Sequence, residues 1–115
     1  MIAARGNQSI AAGASFTPDL GVYDRFGGGG GKLAVRAVVD SAGVSGDIVE
    51  TIFVGSEMVE SRGGLPLERA AGAGPDNFTP AVTAFGAPGD KISCTFSNVS
   101  AGARSVRYLI EVDNA

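Results

Sequence analysis

The glycine run at residues 27–31 is followed by Lys32, which invites comparison with a phosphate-binding loop. A Walker loop needs a glycine, four further residues, a second glycine, a lysine and then serine or threonine, with a helix after it. In this chain Phe26 stands where the first glycine should be, and Leu33 replaces the hydroxyl residue. The residues after Lys32 also alternate as a strand does. We therefore interpret the run as a flexible surface loop.

Nucleophilic and zinc chemistry have almost no candidate residues. The chain contains no histidine and one cysteine, Cys94. The usual Ser-His-Asp and Cys-His arrangements both need histidine, and the usual zinc sites draw on cysteine and histidine. Cys94 alternates in phase with Ile92 and Phe96, which predicts a buried thiol in a strand. The sequence therefore predicts no catalytic nucleophile.

Carboxylates are the remaining candidates, since two of them can hydrolyse a glycosidic bond. The nearest pairs in the sequence are Asp19 with Asp24 and Glu57 with Glu60. Both pairs fall in predicted turns or on a strand surface, so we interpret them as solvated charges. Calcium ligation through Asp40, Asp47 or Asp76 beside glycine-rich turns is an alternative without EF-hand spacing. We expect no enzyme, no metal and no cofactor.

Composition limits the class of protein further. A length of 115 residues fits a single domain, residues 1–115. The net charge is −3 and the nine basic residues are scattered, which argues against a nucleic-acid partner. No apolar run approaches the roughly 20 residues of a membrane span, and the start lacks the apolar stretch of a secretory signal. We therefore expect a chain that begins here and is made in the cytosol.

Short segments with strand-like alternation cover most of the chain. Eighteen glycines, about twice the usual share of roughly 7%, separate these apolar runs. The predicted strands are residues 8–12 with 15–17, 32–40, 47–60, 78–85, 91–97 and 105–112. We predict a bulge or bend at Gly55 inside the third segment, a hairpin joining the last two, and a short helix within residues 66–73.

The third segment is apolar on both faces, because Ile48 and Ile52 point away from Val49 and Phe53. A strand of this kind needs cover on both faces, which two packed sheets give better than one. The second cover can come from the long loops or from another subunit. The sequence therefore predicts an all-β protein, an antiparallel β-sandwich with long glycine- and alanine-rich loops.

Apolar residues outside the strands are the candidate contact residues. Leu20, Tyr23 and Phe26 share one predicted loop, where they form either a plug for the core or an anchor for an interface. Residues 1–6 precede any strong strand and read as an N-terminal arm, ordered only by contact with a neighbour. Long loops such as residues 63–77 tend to be functional. We predict contacts through Ile2, Leu20, Tyr23, Phe26, Leu65 and Leu67.

The chain as a whole resembles small virion proteins of bacteriophages. The resemblance rests on the arm, the stretch NQSIAAGASF from Asn7, the short Ala/Gly/Val/Thr-rich strands, and the closing stretches GDKISCTFS from Gly89 and RYLIEV from Arg107. It is a resemblance to jelly-roll and β-sandwich decoration (cement) or minor capsid proteins. It implies a jelly-roll-like fold and a homo-oligomer, often a homotrimer, bound to a major capsid protein in the virion.

A jelly roll has eight strands and the sequence predicts six, so the first segment and the long loops must supply the others. The alternative function is that of a carbohydrate- or ligand-binding β-sandwich module. Such modules usually present aromatic platforms, whereas this chain has no tryptophan and only Tyr23 and Tyr108 as tyrosines.

Overall fold

The computed structural model describes residues 1–114, which form eight strands and one short 3₁₀ helix, Gly21–Tyr23. The strands are β1 (Ile2–Ile10), β2 (Ser15–Phe16), β3 (Gly31–Val39), β4 (Ile48–Val54), β5 (Glu57–Gly64), β6 (Val82–Gly86), β7 (Ile92–Asn98) and β8 (Arg104–Asn114). They build two four-stranded sheets, sheet A in the order β1-β8-β3-β6 and sheet B in the order β2-β7-β4-β5. All neighbouring strands are antiparallel. The predicted all-β sandwich is confirmed.

The core lies between the two sheets and follows the two-residue period of the strands. In β4 and β7 every second residue is buried, and the residues between them are half-buried. Phe96 is the largest side chain with no exposure, and Ile52 of β4 and Ile110 of β8 are equally enclosed. Cys94 is buried in the same layer, as its phase in the sequence predicts. Apolar burial of this kind is the main contribution to the stability of the fold.

The bulge or bend predicted at Gly55 within one continuous segment is instead a turn, and the third segment is two strands. Val54 of β4 pairs with Glu57 of β5, which leaves Gly55 and Ser56 as a two-residue turn. Gly55 has a φ of +62°, a left-handed conformation that glycine adopts without steric cost. The residues on both sides of Gly55 share strand propensity, so the sequence pattern alone predicts one continuous segment.

The predicted hairpin of the last two segments is wrong. Strand β7 pairs with β2 and β4 in sheet B, whereas β8 pairs with β1 and β3 in sheet A. The connection therefore crosses from one sheet to the other, and the buried side chain of Asn98 holds it. Asn98 Nδ2 donates to the carbonyl oxygens of Ile10 (2.9 Å) and Gly102 (2.8 Å), and Asn98 Oδ1 accepts from Ser100 N (2.9 Å). These bonds satisfy backbone groups that the crossing leaves without strand partners.

The N-terminal arm is a third correction. Residues 2–6 belong to β1, which pairs along β8 within the same chain, from Ile2 opposite Glu111 to Ile10 opposite Arg104. The amino group of Met1 lies 2.6 Å from Asp113 Oδ1. The small residues Ala3 and Ala4 pack partly against the core. The segment is thus ordered by its own sheet and needs no neighbour.

The helix predicted within residues 66–73 is not formed, and this part of the chain is a loop. Its first residues continue the sheet, since Leu67 forms a parallel bridge with Val39 and Glu68 N donates to Val39 O at 2.8 Å. Sheet contacts outweigh the weak helix propensity of such a short segment. Across residues 1–114, no helix has the length and apolar character needed to cross a membrane.

Two glycines make room for the buried ring of Phe26. A Cβ added at Gly86 would lie 2.0 Å from the Phe26 ring, and one added at Gly31 would lie 2.8 Å from the same ring. Gly86→Ala should therefore lower the free energy of unfolding by about 1–3 kcal/mol, because the enclosed ring must shift. Urea denaturation measures this loss. Gly28→Ala is the control and should have an effect within about 0.5 kcal/mol, since no described heavy atom lies within 4 Å of its added Cβ. Equal losses in the two variants would contradict the packing argument.

Candidate functional site

The structure separates the six predicted contact residues into two groups. Leu20, Phe26 and Leu65 are buried in the core, so the prediction that they form an interface is corrected for these three. The sequence left two alternatives open for this loop, a plug for the core or an anchor for an interface. Leu20 and Phe26 pack into the core. The burial of Phe26 could not be read from the loop, because Gly86, one of the glycines that accommodate its ring, lies far from it in the sequence.

The other three predicted contact residues are accessible but do not form one patch. Ile2 and Leu67 are exposed, and Tyr23 is half-buried with its hydroxyl against Met1 Sδ. Ile2 lies beside Glu111 of β8, at one end of sheet A. Leu67 bridges Val39 at the other end of β3. A contact through Ile2 and Tyr23 would therefore be separate from one through Leu67.

The most exposed aromatic side chain is Phe85 on β6, which the sequence analysis did not single out. Phe85 is 81% exposed and points outward from sheet A, since its neighbour Ala84 faces the core. The ladder places it opposite Lys32, which in turn is opposite Asp113. Together with Gly29, Gly31, Gly86 and Asn114, these residues line a shallow depression of about 380 Å³, here called the Phe85 depression. It presents an apolar ring beside charges of both signs.

A second exposed aromatic, Phe78, is held on the long loop between β5 and β6. Phe78 is 77% exposed, and the guanidinium carbon of Arg69 lies 4.1 Å from the centre of its ring. Arg69 also lies 3.9 Å from a carboxylate oxygen of Asp76. The carboxylate of Asp76 closes the local turn by accepting from Phe78 N at 2.9 Å. These contacts order the tip of the loop at the surface.

The buried carboxylate of Glu68 fixes the same loop to sheet A. The residue is 4% exposed, and its two oxygens accept the backbone N–H groups of Ser41 (2.9 Å), Gly72 (3.2 Å) and Gly74 (3.1 Å). Arg107 Nε on β8 lies 3.0 Å from Glu68 Oε2, as an ion pair without the alignment of a hydrogen bond. Burial alone would raise the pKa of Glu68, but the three N–H donors and Arg107 together hold it below the ordinary value. Glu68 is therefore an ionised structural anchor.

Glu50 is a buried carboxylate of a different kind, because it is not satisfied. It lies on β4 in phase with Ile48 and Ile52, and it is 7% exposed. Its Oε2 atom has no hydrogen-bond partner among residues 1–114. A buried polar group without a partner costs free energy, and native proteins contain few of them. Such a group is a candidate for binding something that the chain itself does not supply.

Glu50 lines a cleft of about 560 Å³, here called the Glu50 cleft. The cleft lies between β5 and β6, which are edge strands of different sheets. Its lining residues are Ala37, Ser45, Gly46, Glu50, Glu60, Gly63, Gly64, Leu65, Pro66, Pro80, Ala81 and Val82. Burial, and then the charge of Glu60, raise the pKa of Glu50 to about 7. The pKa of Cys94 on β7 is raised by burial and then by Glu50, so this thiol is not a nucleophile at neutral pH.

The candidate carboxylates named from the sequence have local roles. Asp19 accepts from Gly21 N (2.8 Å) and Asp40 accepts from Ala42 N (3.1 Å), as short-range turn residues do. Asp47 accepts from Val44 N (3.0 Å) and from Arg104 Nε (2.8 Å). Within residues 1–114, no group of three or more Asp, Glu, Cys or His residues is placed to hold a metal ion. Of the candidate pair Glu57 and Glu60, Glu60 lines the Glu50 cleft and Glu57 is exposed outside it.

The sequence does contain a signal for the burial of Glu50. A charged residue stands at the same phase as Ile48, Ile52 and Val54, so the period of two puts it inside the core. Phe85 shows the opposite pattern. Its aromatic ring is out of phase with the core residue Ala84, so the period of two places it on the outer face.

Comparison of this chain with protein-family models, with curated proteins and with solved structures found no match.

Proposed function

We propose that this chain is a structural protein of a virus particle, which decorates or cements a phage shell through contacts between subunits. The observation that carries the proposal is the nesting of the strand pairs. Strand β1 pairs with β8, β2 with β7, β3 with β6 and β4 with β5. This nesting of eight strands supports a jelly-roll winding, an architecture that viral capsid domains use.

The Phe85 depression supports self-association as the means of assembly. Aromatic rings are enriched in the centres of interfaces, and the ring of Phe85 is exposed on an edge strand. Lys32 on β3 lies next to the ring, and Asp113 on β8 lies beyond Lys32 in the same row across the sheet. A second copy of this chain, rotated onto the first, can therefore place its Lys32 against Asp113 and its Asp113 against Lys32. This self-complementarity is what a contact between identical subunits requires.

Light scattering after size-exclusion chromatography tests the assembly. At about 100 µM, where a complex of micromolar Kd is populated, we expect the parent protein to be a homo-oligomer. Phe85→Ser should shift it to the monomer, because the ring at the centre of the contact is lost. Val22→Ser is the matched control, since Val22 is equally exposed but lies in the 3₁₀ helix and outside the depression. A parent protein that stays monomeric at this concentration would contradict self-assembly.

The particle itself is the second test. Mass spectrometry of virus particles purified from cells that carry the gene should detect the chain at a fixed ratio to the major capsid protein. Its absence from purified particles would exclude the virion role, whatever the oligomeric state.

The alternative function is a ligand-binding β-sandwich module, since lectins and cupins share the jelly-roll architecture. The observation that favours it is the Glu50 cleft, a concave site with an unsatisfied buried carboxylate. A glycan array separates the two functions. A monomer that binds a glycan would support the module and contradict the shell protein.

A further inference from the structure

The Glu50 cleft contains two carboxylates, and none of the described residues that line it carries a positive charge. Glu50 Oε2 is buried without a partner, and Glu60 of β5 adds a second negative charge to the same cleft. The thiol of Cys94 also interacts with Glu50, and it supplies no positive charge. A cationic group in the cleft would pair with Glu50 and would offset its repulsion from Glu60.

The lining indicates what carries this positive charge. Of the described residues that line the cleft, two have carboxylates, whereas Ca²⁺ takes six to eight oxygen ligands. Much of the remaining wall is apolar, formed by Leu65, Pro66 and Val82 among others. The volume of about 560 Å³ falls in the range of pockets for small organic ligands, roughly 300–1,000 Å³. An organic cation with an apolar stem therefore fits the cleft better than a metal ion.

We propose that the Glu50 cleft binds a guanidinium or ammonium group on a short apolar stem, with its positive charge against Glu50 and Glu60. The stem lies along Leu65, Pro66 and Val82. This chemistry has two sources, a free amine or the arginine or lysine side chain of another protein molecule. The inference stands on the cleft alone and does not depend on the chain being a shell protein.

Titration with n-butylguanidinium, followed by amide chemical shifts in NMR spectra, tests the proposal at about pH 8, where Glu50 is ionised. We expect saturable shifts at Gly63, Gly64 and Ala81, which line the cleft. n-Butanol has the same stem without the charge and should bind about tenfold more weakly or not at all. The titration uses the Phe85→Ser variant, which we expect to be monomeric. The result therefore does not depend on whether the parent protein self-associates.

Substitutions then localise the binding. Glu50→Gln should weaken n-butylguanidinium binding about tenfold or more, and Glu60→Gln should weaken it by a smaller factor. Glu57→Gln is the control, because Glu57 is on β5 as well but is exposed and outside the cleft. Equal affinity in Glu50→Gln and the parent, equal binding of n-butanol, or shifts confined to other surfaces would each overturn the proposal.

The parent protein distinguishes the two sources. If another copy supplies the side chain, n-butylguanidinium should reduce the oligomeric fraction and Glu50→Gln should do the same. If the ligand is a free amine, the oligomeric fraction should be unchanged while the shifts remain.

Discussion

Glu50→Gln should raise the free energy of unfolding by about 3 kcal/mol at pH 8, which is an unusual gain for a buried substitution. The reason is the carboxyl group, whose pKa is raised from 4.5 to about 7 in the folded protein by burial and by Glu60. Between these two pH values the folded state binds more protons than the unfolded state. The stability of the parent therefore falls as the pH rises from about 4.5 to 7, and above 7 the full cost of the buried charge is present. The neutral amide of glutamine removes this cost.

Urea denaturation at a series of pH values measures the gain. Below about pH 4.5, where Glu50 is protonated in both states, the variant and the parent should differ by less than about 1 kcal/mol. The difference should then grow with pH and level off above about pH 7. Glu57→Gln is the control and should show no such growth, because its side chain is exposed on the same strand as Glu60. A constant difference across the pH range would mean that Glu50 is not a buried carboxyl of raised pKa.

Glu68→Gln should have the opposite effect and lower the free energy of unfolding by about 2–4 kcal/mol at pH 7. The amide has one acceptor where the carboxylate has two, so at least one of the N–H groups of Ser41, Gly72 and Gly74 loses its partner. Arg107 loses its counter-charge as well. Because the pKa of Glu68 is lowered in the folded state, its contribution is present above the unfolded value and is lost as the pH falls through the lower folded value.

Denaturation together with limited proteolysis of the loop between β5 and β6 measures this loss. Glu111→Gln is the matched control, since Glu111 also pairs with an arginine on the outer face of sheet A, Arg36 at 3.1 Å. That pair is about one-third exposed, so its loss should cost less than about 1 kcal/mol. Similar losses for Glu68 and Glu111 would show that the anchor contributes no more than an ordinary surface ion pair.

The fold class could be predicted from the sequence because alternation is a local property. Ile92, Cys94 and Phe96 have the same phase in the sequence and in the structure, and they face the core as that phase requires. Alternation does not say which strand lies beside which. Strands β7 and β8 are adjacent in sequence and were expected to pair, yet each pairs with more distant strands in a different sheet.

The candidate sites could be predicted less well, because each depends on contacts between distant residues. The burial of Phe26 depends on Gly86, which is far from it in sequence. Glu50 becomes unusual only when Glu60 and the edge of sheet A enclose it. The exposure of Phe85 follows from β6 lying at an edge of its sheet with no further strand beyond it in the described chain. The phase of a residue gives its face, but its neighbours decide its role.

The nested strand pairs also bear on how this chain folds. The turn at Gly55 and Ser56 closes the innermost pair, β4 with β5, whereas β1 and β8 come from opposite ends of the sequence. Loop-closure entropy favours the short loop, so a folding nucleus at β4 and β5 can grow outward through β3 with β6 and β2 with β7. The edge strand β1 would then be the last to dock. We therefore expect this chain to fold in milliseconds to seconds, as proteins dominated by non-local strand pairing do.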